Sequence, residues 1–263
     1  MRFKFGSNWR SFLKTLNDKR IAVAEASLKD MLKLSSLEGK TFLDIGCGSG
    51  LFSLCAMRLG AQKVHSLDYD IQSVECAKIL RQRYFPECDH WTVERGSALD
   101  RDYINSLGTY DVVYCWGVLH HTGNMWSALD IIVSTIRKPG GKLFLAIYDD
   151  QGEYSRYWKD VKETYCNLPA MLRLPYLLYY AAKMDYPIVR HNIHVQKLPW
   201  DHWKQYYLSR GMSRWHDIKD WVGGWPYEFA PAEQIIDFYR ERGLKLEQLL
   251  TGEANNQFLF SRE

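Results

Sequence analysis

The sequence predicts a doubly wound α/β fold, and three observations carry that expectation. Thr41–Gly50 reads Thr-Phe-Leu-Asp-Ile-Gly-Cys-Gly-Ser-Gly, a short apolar strand breaking into three alternating glycines. Leu51–Leu59 follows as a helix, with Leu51, Leu54, Cys55 and Leu59 on its apolar face. A second apolar strand, Val64–Leu67, ends in Asp68, about 20 residues beyond the glycines, the spacing at which an acid meets ribose hydroxyls. Strand, glycine turn and helix N-terminus together make a cofactor cradle at the carboxyl end of a strand. Glycine there lets the backbone turn sharply and pass close to a ligand that a Cβ would strike.

The dinucleotide fingerprint is Gly-x-Gly-x-x-Gly, whereas this stretch is Gly-x-Gly-x-Gly with Asp44 two residues ahead of it. An NAD-type third glycine would fall where Leu51 stands, which counts against that reading. Four landmarks occur in order: Leu43-Asp-Ile-Gly-Cys-Gly-Ser-Gly50, Asp68-Tyr69-Asp70, Tyr110-Asp-Val-Val-Tyr-Cys115 and Lys138-Pro-Gly-Gly-Lys142. With them the chain resembles the class I S-adenosylmethionine-dependent methyltransferases, in a bacterial small-molecule branch. The resemblance implies a seven-stranded, Rossmann-like sheet, S-adenosyl-L-methionine as cofactor and S-adenosyl-L-homocysteine as product. It implies cofactor contacts from Asp44, Gly46, Cys47, Gly48, Gly50, Asp68 and Tyr69, and from Cys115 and Trp116, against the backbone where the fourth strand ends. After Gly96 the family often carries an acid for the adenine amino group. Here the residue is Ser97, so its hydroxyl or the Ala98 backbone would take that place.

Composition narrows the class further. A chain of 263 residues, 46% hydrophobic, holds one large domain or one core with an insertion. A formal charge of +3 implies neither nucleic acid nor an anionic membrane. No apolar run is long enough to span a bilayer, and the first residues lack an apolar signal core, so a cytoplasmic protein is expected. Six scattered cysteines without a Cys-x-x-Cys pair suit reduced thiols and predict no metal site. Cys88 and His90 form the closest Cys/His pair, and two ligands do not close a tetrahedral site.

Taken in order, residues 1–20 are basic and aromatic, with Phe3, Phe5, Trp9 and Phe12. They either dock the terminus on the core or form a lid over the cofactor, as N-terminal helices do in many relatives; Trp9 is the contact expected of such a lid. Residues 20–36 predict a helix facing inward through Ile21, Ala24, Leu28, Met31 and Leu32. Ile71–Tyr84 is helical and ends at Pro86, and His90–Glu94 is a third strand. Asp100 caps a helix over Tyr103–Leu107. Tyr110–Trp116 is the fourth strand. It lacks the Asn/Asp-Pro-Pro-Tyr/Phe of enzymes that methylate exocyclic base amines, which argues against a nucleic-acid acceptor.

His120 and His121 stand just past that strand, where doubly wound folds place chemistry. Imidazole titrates near neutrality and suits removal of the proton from an attacking hydroxyl. Adjacent residues rarely point at one substrate, so at most one is the base and the other lines the pocket or packs. Met125–Ile136 is a helix, and Lys142–Tyr148 the fifth strand.

Pro231–Arg242 reads as the helix that usually follows the fifth strand, with Leu244–Leu250 and Gln257–Phe260 as a closing antiparallel pair. The chain therefore divides into 1–148, lid helices and cofactor-binding core; 149–229, an inserted, largely helical substrate-binding cap; and 230–263, the closing helix and strands. Within the cap, Leu172–Met184 is apolar enough for a buried or interface helix, which leaves room for a homodimer; no membrane contact is expected. Tyr148, Arg214, His216 and Tyr227 are the candidate substrate contacts, Arg214 because a guanidinium holds a carboxylate or phosphate bidentately. The expected activity is methyl transfer to a hydroxyl of a small polar metabolite or sugar. The alternatives are N-methylation of a small amine, a protein or RNA methyltransferase, and a catalytically silent cofactor-binding module.

Overall fold

Phe42, Leu43 and Ile45 are fully buried at the centre of the chain's sheet, and their alternation sorts the core into two halves. Phe42 points into a cluster with Ile21, Leu28, Leu54, Ala77 and Trp91, while Leu43 and Ile45 join Val113, Leu129, Leu145 and Tyr239 on the opposite face. The structure is a computed structural model and describes residues 6–198, 203, 214–252 and 254–263. Phe3, Phe5, residues 210–213 and the side chain of His216 lie outside the described residues.

Seven strands run in the order β3-β2-β1-β4-β5-β7-β6. They are β1 (Thr41–Ile45), β2 (Lys63–Asp68), β3 (Trp91–Arg95), β4 (Val112–Trp116), β5 (Lys142–Tyr148), β6 (Leu244–Thr251) and β7 (Asn255–Arg262). The first five pair in parallel, and β7 is antiparallel to both β5 and β6. The chain reverses its winding between β1 and β4, the switch point at which open α/β sheets bind ligands.

The helices are α1 (Gly6–Thr15), α2 (Asp18–Leu32), α3 (Leu51–Arg58), α4 (Ile71–Tyr84), α5 (Arg101–Ser106) and α6 (Met125–Ile132). After β5 come α7 (Glu153–Asn167), α8 (Ala170–His194), α9 (Arg214–Gly223) and α10 (Ala232–Arg240). Asp100 caps α5 by accepting the Tyr103 N–H at 3.1 Å. The fourth strand begins at Val112 rather than Tyr110, because the Tyr110 N–H is taken by the Thr135 carbonyl. The helix predicted over 125–136 closes at Ile132, where Ser134 and Thr135 hydroxyls back-bond to the Ile131 and Ile132 carbonyls and tighten the end into a 3₁₀ turn. The apolar stretch 172–184 belongs to a longer helix that continues through Pro187. Asp185 secures that extension by accepting from Trp203 Nε1 at 2.8 Å and from the Arg214 guanidinium at 2.9 and 3.0 Å, offsetting the proline penalty.

Between β5 and α10 the chain builds a third cluster around Trp158, Tyr180, Ile218, Val222 and Tyr227. Lys162 is completely buried within it; its Nζ donates to the Trp221 carbonyl and sits 4.0 Å from the Trp221 ring centroid and 4.8 Å from that of Tyr227. Burial pulls its amine down to about 7. A lowered amine binds fewer protons folded than unfolded, so its contribution to stability rises with pH from about 7 towards the unfolded lysine value. The stability deficit of wild type against Lys162→Met, read by urea unfolding, is therefore expected to narrow between pH 7 and 9. An equal deficit at both pH values contradicts a buried titrating amine.

Candidate active site

Gly46 (φ 75°) and Gly48 (φ 54°) hold the turn after β1 in the left-handed region, and each is crowded besides. A Cβ on Gly46 would lie 2.4 Å from a Val118 methyl, and one on Gly48 would lie 2.9 Å from the Trp9 indole. The Gly46 and Cys47 N–H groups both donate to the Leu67 carbonyl, at 2.7 and 3.0 Å. The Gly48 N–H donates to Asp68 Oδ2 at 3.0 Å, and the Asp70 N–H to Asp68 Oδ1 at 2.8 Å. Asp70 in turn caps α4 and accepts the Gly6 N–H at 3.1 Å, which anchors α1 beside the loop.

A cleft of about 600 Å³ opens at this edge of the sheet. Trp9, Asp44, Gly46, Cys47 and Gly48 line one part, with Asp68 and Tyr69 beyond them. Ser97 and Ala98 line the far end, where the Ser97 side-chain oxygen accepts the Leu99 N–H at 3.2 Å. Burial lifts the Asp44 carboxyl to about 7, against a hydrogen bond from Ser53 that favours its charged form.

His120, His121 and Tyr148 line the other end. The His121 Nδ1 lies 2.6 Å from the Pro226 carbonyl, an acceptor only, so Nδ1 carries a proton, and in the neutral ring Nε2 is the acceptor. His120 is the opposite: its Nδ1 accepts the Tyr148 N–H at 3.3 Å, which puts the proton of the neutral ring on Nε2. Among the described residues that buried Nε2 has no partner. Burial, with His121 and Lys162 nearby, holds His120 well below the ordinary imidazole range and therefore neutral. The rings stand 4.5 Å apart, and Tyr148 lies 3.9 Å from His120. The segment before α10 clasps this corner: the Glu228 N–H donates to the His120 carbonyl at 2.9 Å, and its carboxylate accepts the Met125 N–H, 3.1 Å from each oxygen, at the N-terminus of α6.

Several expected residues stand elsewhere. Gly50 does not line the cleft; its missing Cβ makes room for Ala77 of α4, 2.8 Å away. The Cys115 side chain is buried among the core residues of β4, whereas Trp116, expected beside it, lines the cleft together with Gly117. Tyr227 is buried behind Tyr148, ring centroids 4.9 Å apart, and supports that ring from outside the cleft. Arg214 is paired with Asp185 and faces a separate groove beside Tyr157 and Trp158, because α8 brings that carboxylate to it. Two of the lining residues that the sequence does not mark come from distant elements. Asp220 reaches the cleft from α9, and Asn255 does so because β7 inserts beside β5 and pairs Asn255 with Tyr148. No local pattern marks either one.

A family model described as a methyltransferase domain matches residues 16–248. The chain belongs to the class I S-adenosylmethionine-dependent methyltransferases. The ubiquinone biosynthesis O-methyltransferase of Xanthomonas oryzae pv. oryzae is 31% identical to this methyltransferase over 134 residues, 51% of each chain. The ribosomal protein L11 methyltransferase of Photobacterium profundum is 30% identical over 126 residues, 47% of this chain and 40% of that protein. The methyltransferase thus spans about half the length of the curated relatives it matches. In fold it resembles the magnesium protoporphyrin IX methyltransferase of Synechocystis PCC 6803, with a TM-score of 0.56, 14% identity and coverage of 98% and 94% of the two chains. It likewise resembles PKMT2 from Rickettsia typhi, with a TM-score of 0.60, 14% identity and coverage of 91% and 52%. Among the described residues of the methyltransferase no three metal-ligating side chains gather, and no helix is long and apolar enough to cross a membrane.

Gly48→Val forces a β-branched side chain into left-handed backbone and against Trp9. Titration calorimetry with S-adenosylmethionine is expected to show a loss of affinity of about five- to 150-fold, from the roughly 1–3 kcal/mol that such strain costs. Unchanged affinity removes the glycine loop from the cofactor site.

Proposed function

We propose that this methyltransferase moves the methyl group of S-adenosylmethionine to a hydroxyl of a small polar acceptor, with His121 as the base. The observation that carries the reading is the pair of opposite tautomers at His120 and His121, set by the Tyr148 amide and the Pro226 carbonyl at one end of the cleft.

The cleft fits the cofactor in its separate parts. Asp68 ends β2 with a carboxylate able to accept ribose hydroxyls, and Tyr69 stands beside it for the adenine face. Ser97 offers a hydroxyl hydrogen at the adenine edge, in place of an acid. Asp44 and the Gly46–Gly48 backbone take the amino-acid end, and Trp9 covers the loop as a lid. Cys115 and Gly50 act from behind the site, through packing.

The bound cofactor supplies an electrophilic methyl on sulfur. The acceptor hydroxyl donates to His121 Nε2, which takes its proton as the oxygen attacks, while Nδ1–H stays on the Pro226 carbonyl and steadies the resulting imidazolium. His120 Nε2–H holds an oxygen of the acceptor and orients it. Tyr148, backed by Tyr227, shields this end from water. Holding the two reactants in line supplies the main part of the rate, up to about 7–11 kcal/mol for well-oriented pairs. The elements between β5 and α10 serve as the acceptor's cap, with Asp220 facing it; Arg214 serves the cap's own packing.

Acceptor screening that reads S-adenosylhomocysteine release tests the activity. On the best acceptor, His121→Ala is expected to lower kcat by about 10²-fold or more with cofactor affinity unchanged. His120→Ala is expected to raise KM for the acceptor more than it lowers kcat. Full activity in both variants rules out a histidine base.

A further inference from the structure

A line of four buried side chains runs through the core from β3 to the cofactor cleft. Trp91 Nε1 donates to Ser66 Oγ at 2.9 Å, Ser66 Oγ donates to Ser53 Oγ at 2.7 Å, and Ser53 Oγ donates to Asp44 Oδ2 at 2.5 Å. None of the four is more than 2% exposed. They come from four elements, β3, β2, α3 and β1, and only Asp44 lines the cleft.

The direction of the chain follows from its first member. An indole N–H can only donate, so Ser66 accepts from Trp91 and passes its own hydrogen on, and Ser53 does the same. The last acceptor must then present a lone pair, as an ionised carboxylate does. A proton on Asp44 Oδ2 would reverse both serines and leave the Ser66 hydrogen without an acceptor in the chain. Protonation is left to Oδ1, which lies outside the chain.

We propose that Ser53, Ser66 and Trp91 are positioning residues for the cofactor, a donor chain that locks Asp44 as the acceptor for the cofactor's amino-acid ammonium. The proposal rests on the placement of Asp44 at that end of the cofactor, and it is independent of the acceptor and of the histidines. When the ammonium binds, the carboxylate is ionised and any proton on Asp44 leaves to solvent.

The titratable groups within electrostatic reach of Asp44 are Asp68 from β2, Cys47 from the glycine loop, Cys55 from α3, Tyr114 from β4 and, from the other face of that strand, Cys115. Burial pushes the three thiols and the phenol up, so they stay neutral through the physiological range. Asp44 itself titrates at about 7, raised by burial and by Asp68 and lowered by Ser53. Its charged fraction therefore grows with pH across neutrality, and affinity for an ammonium-bearing ligand grows with it.

Calorimetry between pH 6 and 8.5 tests this, with S-adenosylhomocysteine as ligand and 5′-methylthioadenosine, which has no amino-acid part, as control. In wild type the first ligand is expected to weaken by up to about tenfold per pH unit below 7, and the control to stay level. In Ser53→Ala the midpoint moves up by about one unit, so binding is about fivefold weaker at pH 7 and recovers towards wild type at pH 8.5. Trp91→Phe, at the far end of the chain, moves the midpoint the same way by less, and it decides the matter if the serine variant does not fold. An equal loss at every pH, or a control that weakens as much, makes the chain merely structural and overturns the proposal. Wild type that binds neither ligand overturns the cofactor site itself, a different failure.

Discussion

The Asp68 carboxylate accepts the Gly48 amide with one oxygen and the Asp70 amide with the other, and the cofactor edge of the sheet is built on this pair of bonds. The first bond holds the glycine loop against the end of β2, so that β1 and β2 present one continuous wall. The second turns the chain into α4, whose cap, Asp70, also receives the first amide of α1. One carboxylate thus ties together two strands, the loop and, through its neighbour, the N-terminal helix that lays Trp9 over Gly48. A carboxylate has two oxygens that accept, so one side chain holds both amides.

The opposite wall follows a different principle. No single motif sets His120 and His121; their hydrogen bonds come from backbone groups at either end of the segment between β5 and α10. The Tyr148 amide precedes it and the Pro226 carbonyl closes it. The Glu228 carboxylate on the first amide of α6 and the Ala230 amide on the Tyr148 carbonyl draw the two ends of the insertion onto the core. The hydrogen bonds of the pair therefore depend on the segment between β5 and α10 being folded, and folding of its aromatic cluster buries even the Lys162 amine.

Polar groups buried in this molecule serve as connectors. Asp44, Ser53, Ser66 and Trp91 pass hydrogen bonds between β1, α3, β2 and β3, and Asp185 joins α8 to Arg214 and Trp203. A buried polar group without a partner is expensive, so such chains admit few alternative arrangements and specify one register.

By itself the sequence determined what depends on neighbours along the chain. The glycine loop, the acid after β2, the Asp100 cap and the spans of α4 and β5 are local patterns, and periodicity and turn chemistry report them directly. The parity of β1 already placed Asp44 on the face of Phe42, opposite Leu43 and Ile45. Tertiary structure decided what depends on distant partners. Arg214 turned to Asp185 because helix packing brought a carboxylate to it, and Asn255 entered the cleft because β7 inserts beside β5. The roles of the two histidines were equally out of reach. Which nitrogen of a neutral imidazole carries the proton is set by its hydrogen bonds, and the groups that set it here are Tyr148 and Pro226, far along the chain.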